Sequence, residues 1–132
     1  MTEEYKLDRP TGFGCPECGG VMKPEYTGTL LQYRCHIGHV LTAETMLVAQ
    51  FNIVEIKLAA CLAALNERAE LCRQMSDAAP PAHVVDAATL EAARKEALDR
   101  ALIIKQLLES EWTETGRDYR RETSPRPGAM TG

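Results

Sequence analysis

Three cysteines and two histidines stand close together near the start of the chain, as Cys15-Pro-Glu-Cys18-Gly-Gly and Cys35-His-Ile-Gly-His39, with sixteen residues between Cys18 and Cys35. Thiolates and imidazoles are the donors a tetrahedral zinc ion takes, and two short knuckles facing one another can supply four of them. Gly19 directly after Cys18 accepts the backbone turn that such a knuckle demands. In the second knuckle His36 is a poor co-ligand, because short side chains on adjacent residues rarely converge on one tetrahedron. His39 is separated from Cys35 by three residues, one of them Gly38, and can close the site. The expected ligands are therefore Cys15, Cys18, Cys35 and His39, with His36 as the alternative fourth donor, around one structural Zn2+.

Simple burial of these cysteines leaves the two-knuckle spacing unexplained. It also leaves about 40 residues with few large apolar side chains to fold unaided, a size at which a core alone usually fails. Iron held as in rubredoxin calls for four thiolates, so zinc is favoured. Four protein donors leave no open position for a reacting water, and no H-E-x-x-H segment accompanies them. Ser76, Ser110 and Ser124 lack a nucleophile-elbow setting. The chain is expected to carry no catalysis of its own.

Around this centre the composition is restrictive. The 132 residues have a formal net charge of -4, and residues 1–41 hold five acidic groups against four basic ones, so a phosphate-binding surface is not expected. The polar start, Met-Thr-Glu-Glu-Tyr-Lys, does not resemble a secretory signal, and no run of about 20 uniformly apolar residues suggests a membrane span. Five cysteines, three of them in metal spacing, fit a reducing cytoplasm better than a disulfide framework.

The elements that must position the ligands follow from periodicity. Val21–Tyr26 and Thr29–Arg34 alternate as strands about a turn at Thr27-Gly28, and Pro24, lacking an N–H, belongs on an edge. From Thr42, a helix cap with Glu44 behind it, the period becomes helical as far as about Gln74. Its stripe is Leu47, Phe51, Val54, Leu58, Cys61, Leu62, Leu65 and Cys72, with both cysteines read as small core residues. Ser76–Val85, with Pro80-Pro81 inside, forms a loop in which His83 is expected to be solvated. Asp86 caps a second helix with Leu90, Ala97, Ala101, Ile104, Leu108 and Trp112 inward, Glu91–Lys95 and Glu96–Arg100 pairs outward, and Gly116 as its stop.

The expected architecture is α+β and mostly α. A small zinc ribbon over 1–41, two knuckles and a β-hairpin, is followed by a long antiparallel helical hairpin over 42–116, its helices at about 42–75 and 86–115. A disordered tail over 117–132 carries Arg117, Arg120, Arg121 and Arg126, a weak docking candidate. Ile53, Ile56, Ile103 and Leu107 fall off the main stripes, and two helices cannot bury them all. They call for a protein partner or a second copy of the chain, unless the ribbon folds back over them.

Thr11-Gly-Phe-Gly-Cys-Pro-Glu-Cys-Gly-Gly, the block from Leu30 to Glu44 and the helix after it resemble a C-terminal extension of some bacterial chemotaxis-type protein-glutamate methylesterases, the CheB family. The likeness spans about residues 11–112. In that family the extension follows an α/β domain whose serine, histidine and aspartate hydrolyse glutamyl methyl esters; that domain is absent from this sequence and no residue matches its triad. The resemblance implies an accessory module in a bacterial chemosensory or related signalling pathway. The expected function is a non-catalytic, zinc-binding interaction or regulatory module. An accessory subunit working in trans with a separate methylesterase domain is the alternative, and a nucleic-acid-binding ribbon is a more distant one.

Overall fold

The computed structural model describes residues 4–78 and 82–116; Pro80-Pro81 and the tail expected over 117–132 lie outside them. The fold is α+β and mostly helical. A four-stranded antiparallel sheet in the order β1-β2-β3-β4 comprises β1 (Phe13–Gly14), β2 (Val21–Thr27), β3 (Leu30–Cys35) and β4 (Val40–Thr42). Two helices follow, α1 (Ala43–Asp77) and α2 (Ala87–Glu109). The described residues divide into two compact units, one formed by 4–52 with 114–116 and the other by 53–78 with 82–113, the boundary falling inside α1.

The hairpin of the first unit turns one residue later than expected. Thr27 pairs with Leu30, and Gly28-Thr29 is the two-residue turn, with Gly28 at φ +63° as the first position of a type II′ turn requires. The strands accordingly end at Thr27 and begin at Leu30. Two flanking strands were not expected, because two or three residues are too few to show a period. β1 pairs Phe13 with Met22, and β4 pairs Val40 with Arg34. Pro24 therefore sits in an interior strand rather than at a sheet edge. It is tolerated because β1 ends opposite Met22, so Pro24 has a cross-strand partner, Tyr33, on one side alone.

Alternation divides the sheet. Met22, Cys35 and Cys15 are buried with Met46 from the first turns of α1, and Tyr33 and Leu41 pack against them. Phe13 meets Tyr33 edge to face at 5.6 Å. The opposite face is polar: Arg34 donates to both carboxylate oxygens of Glu25 at 2.8 and 3.3 Å, and Gln32 bridges Glu25 and Thr27. Arg34 and then Gln32 hold the Glu25 carboxyl below its ordinary range.

Both helix starts behave as side-chain chemistry dictates. Thr42 Oγ1 accepts from the Thr45 N–H at 3.2 Å, and Asp86 accepts from the Thr89 N–H at 2.6 Å. The ends differ from expectation. Helix α1 runs to Asp77, and His83 closes it instead of facing solvent: its Nε2 donates to the Met75 carbonyl at 2.6 Å while Nδ1 accepts from the Val85 N–H. Helix α2 stops at Glu109, well before Gly116. There the Leu107 carbonyl accepts from the Ser110 N–H, the Ser110 hydroxyl and Trp112 Nε1, which replaces the next helical hydrogen bond and takes Trp112 off the stripe. On the outer face Glu91 pairs with Arg94 rather than Lys95, and Glu96 pairs with Arg100 as expected.

In the second unit Ala69 and Cys72 of α1 and Leu90, Ala97 and Ala101 of α2 are buried. Leu58, Leu62 and Leu65 continue the α1 stripe half-buried. Cys61 departs from its expected place in the core and is exposed. In the first unit Leu47 is 53% exposed and Met46 takes the inward position. Ile56, Ile103 and Leu107 are exposed, and Ile53 is half-buried. Contrary to the expectation drawn from uniformly apolar runs, α1 holds an 18-residue window of mean hydropathy 1.6 with no more than two charged residues. By length and composition that window is sufficient to cross a membrane, and 6% of it is buried. Gln50, Asn52, Glu55 and Lys57 break the apolar run by eye without lowering the average below that level.

Candidate metal centre

The two knuckles are built alike. In the first, the Cys15 N–H donates to the Gly20 carbonyl at 2.7 Å and the Gly19 N–H to the Cys15 carbonyl at 2.8 Å. In the second, the Cys35 N–H donates to the His39 carbonyl and the Gly38 N–H to the Cys35 carbonyl, both at 3.0 Å. Each loop passes through one glycine at positive φ, Gly19 at +75° and Gly38 at +110°, where a side chain would be strained. The β1–β2 and β3–β4 pairings hold the stems of these loops side by side. Ladder and turn together place donors distant in sequence at one point.

At that point the donor atoms of Cys15, Cys18, Cys35 and His39 all lie within 4.8 Å of one another, and the four could hold a metal ion. Cys18 and Cys35 sulfurs are 3.8 Å apart; His39 Nδ1 is 3.8 Å from Cys15 Sγ and 3.4 Å from Cys35 Sγ. Cys15 and Cys35 are buried, His39 is half-buried, and Cys18 is exposed at the rim. Among the described residues this is the one group of three or more histidine, cysteine or acidic side chains placed to share an ion.

The electrostatics differ between the two loops. Burial pushes the Cys35 thiol up, but the backbone N–H groups of His39, Ile37 and Gly38 and the His39 ring outweigh it, bringing the thiol down to about 6. Cys35 is therefore largely thiolate at neutral pH, the form that ligates. Gly20's backbone pulls the Cys18 thiol down, whereas burial and the neighbouring Cys15 and Cys35 sulfurs raise it further, so its net shift is upward. Crowded sulfurs disfavour successive negative charges, which a bound cation would relieve.

His36 stands outside the cluster, and the reason is Gly20. A Cβ on Gly20 would fall 2.7 Å from His36 Cε1 and 3.4 Å from Cys18 Sγ, so the imidazole lies over bare glycine backbone beside Cys18. Sequence reading offered no reason for a second glycine after Cys18. Its signal is the Gly19-Gly20 pair itself, of which only Gly19 needs positive φ. Replacing His39 with alanine is expected to reduce bound metal from one equivalent to well below half. His36→Ala should retain it, with affinity weakened by no more than the roughly 10–100-fold of outer contacts to a site. Metal titration of the two variants checks this, and the reverse order would make His36 the ligand.

No family model matches the chain, and neither a curated protein nor a solved structure does.

Proposed function

We propose that the chain is a non-catalytic interaction or regulatory module in which one structural Zn2+ clamps a ribbon over residues 1–41, followed by an antiparallel helical hairpin over 42–116. The observation that carries this is the four-donor cluster. Zinc–sulfur bonds of about 2.3 Å and zinc–nitrogen bonds of about 2.0–2.1 Å give tetrahedral edges of about 3.8 Å between sulfurs and about 3.5 Å between sulfur and nitrogen. The contacts of 3.8 Å for Cys18–Cys35, and of 3.4 and 3.8 Å from His39 to two sulfurs, suit those edges.

Cys15, Cys18, Cys35 and His39 would hold the ion, and its chemistry there is to neutralise three thiolates and fix two loops. With all four positions filled by protein, a reacting water has no place. Burial of Ala69 and Cys72 near the end of α1 and of Leu90 near the start of α2 supports helices that run antiparallel. Five cysteines, three of them in metal spacing and gathered with His39, fit a reducing cytoplasm. The likeness of the knuckle blocks to a methylesterase extension supports a chemosensory or related bacterial signalling setting. Arg34 is engaged by Glu25, which offsets its positive charge on the polar face of the sheet.

The test is metal analysis of the full chain purified without added metal, paired with a methanol-release assay on methylated receptor. One zinc per chain and no methanol are expected. Stoichiometric iron, absence of any metal, or ester hydrolysis by the isolated chain would overturn the proposal.

A further inference from the structure

Helix α1 is apolar on more than the face it buries. Opposite the half-buried stripe of Leu58, Leu62 and Leu65 runs a second line spaced by four and three residues: Ile53, Lys57, Ala60, Ala64, Glu67 and Leu71. These all belong to the second unit. Lys57, Ala60, Ala64 and Glu67 are exposed, and Leu71 is 56% exposed. The spacing is that of the a and d positions of a coiled coil.

Its order is symmetric. Ile53 and Leu71, Lys57 and Glu67, and Ala60 and Ala64 are each equidistant from Leu62. Reversed against itself, the line sets apolar beside apolar, small beside small and cation beside anion. Lys57 and Glu67 form no ion pair among the described residues, whereas Glu70, Arg73 and Asp77 are joined along the helix. Ten residues apart, or about 15 Å, Lys57 and Glu67 cannot reach one another within one helix.

We propose that α1 pairs antiparallel with α1 of a second copy through Ile53, Lys57, Ala60, Ala64, Glu67 and Leu71, about a two-fold axis at the level of Leu62. An isologous interface needs a surface complementary to itself, and this line has that property in both charge and size. The two alanines let the backbones approach at the centre while Lys57–Glu67 pairs form once on each side. A bilayer would instead receive Lys57 and Glu67 on one face with no partner for either. Cys61, exposed and beside the central layer, flanks the axis and meets its own counterpart. This pairing rests on reading the chain as an interaction module and names one partner; it does not require the metal.

Sedimentation velocity on the full chain tests it. The unaltered chain is expected to dimerise, and Lys57→Glu or Glu67→Lys alone should each weaken the dimer about tenfold, since each reverses two symmetry-related pairs. The double variant K57E/E67K should recover most of the affinity. A short bis-maleimide should join the copies through Cys61, and Cys61→Ser should abolish that product. Monomers at all concentrations, a double variant no better than the single ones, a crosslink that survives Cys61→Ser, or flotation of the chain with phosphatidylcholine vesicles would each overturn the pairing. Metal content measured on the same samples separates the two proposals: a monomer that still carries one zinc defeats the pairing alone, and a dimer without metal defeats the zinc reading alone.

Discussion

Stripping the metal with a strong chelator, or replacing Cys35 with serine, is expected to unfold the sheet of the first unit while most of the helical far-ultraviolet signal persists. The buried cluster there is Cys15, Met22, Cys35 and Met46, so two of its four members are themselves proposed ligands. Without a cation, those sulfurs are crowded polar groups in place of an apolar core. Structural zinc contributes an apparent binding energy of about 10–16 kcal/mol in small metal-dependent folds, more than a core of this size can replace. Amide NMR should show the cross-strand pairs from Met22–Cys35 to Thr27–Leu30 collapsing to random-coil positions, and returning when zinc is restored. Retention of dispersed resonances after complete chelation would show that the ribbon folds without its ion.

Met22→Ala is the second large effect. Among the described residues Met22 is the largest side chain with no exposed surface, and it packs into the buried cluster from the sheet's inner face. Loss of its thioether chain leaves a cavity that two short strands and a helix start cannot close, at a cost of about 2–5 kcal/mol. Because no donor is removed, the variant should still bind one metal at room temperature, yet melt well below the unaltered chain. Met22→Leu should recover most of the difference, with a residual cost below about 1.5 kcal/mol. Calorimetry of the metal-loaded forms decides this. Equal melting temperatures for the alanine variant and the unaltered chain would mean that the ion alone organises the unit.

These two changes probe separate supports. Cys35 acts through its thiolate, which the backbone N–H groups of its own loop favour; Met22 acts through packed volume. A chain depending on both fits a unit too small to stand on either.

The sequence by itself determined whatever depends on residue type and short spacing. Cys15, Cys18, Cys35 and His39 were legible as a set because donor chemistry and the knuckle spacing are local properties. The Thr42 and Asp86 caps were legible for the same reason, since each side chain reaches a backbone N–H three residues on. The α2 stripe followed from helical period over most of its length: Leu90, Ala97 and Ala101 are buried and Ile104 and Leu108 half-buried, while Trp112 is exposed. Tertiary structure decided the rest. β1 and β4 exist because β2 and β3 offer them hydrogen-bonding edges, and strands of two and three residues carry no periodic signal. His36 is set apart because Gly20 leaves room for its ring, a contact across sixteen residues. His83 and Trp112 take up helix-end carbonyls that spacing alone could not assign. Cys61 shows the same limit: helical angle gave it a place in the apolar stripe, but burial depends on which neighbour arrives, and among the described residues none covers it.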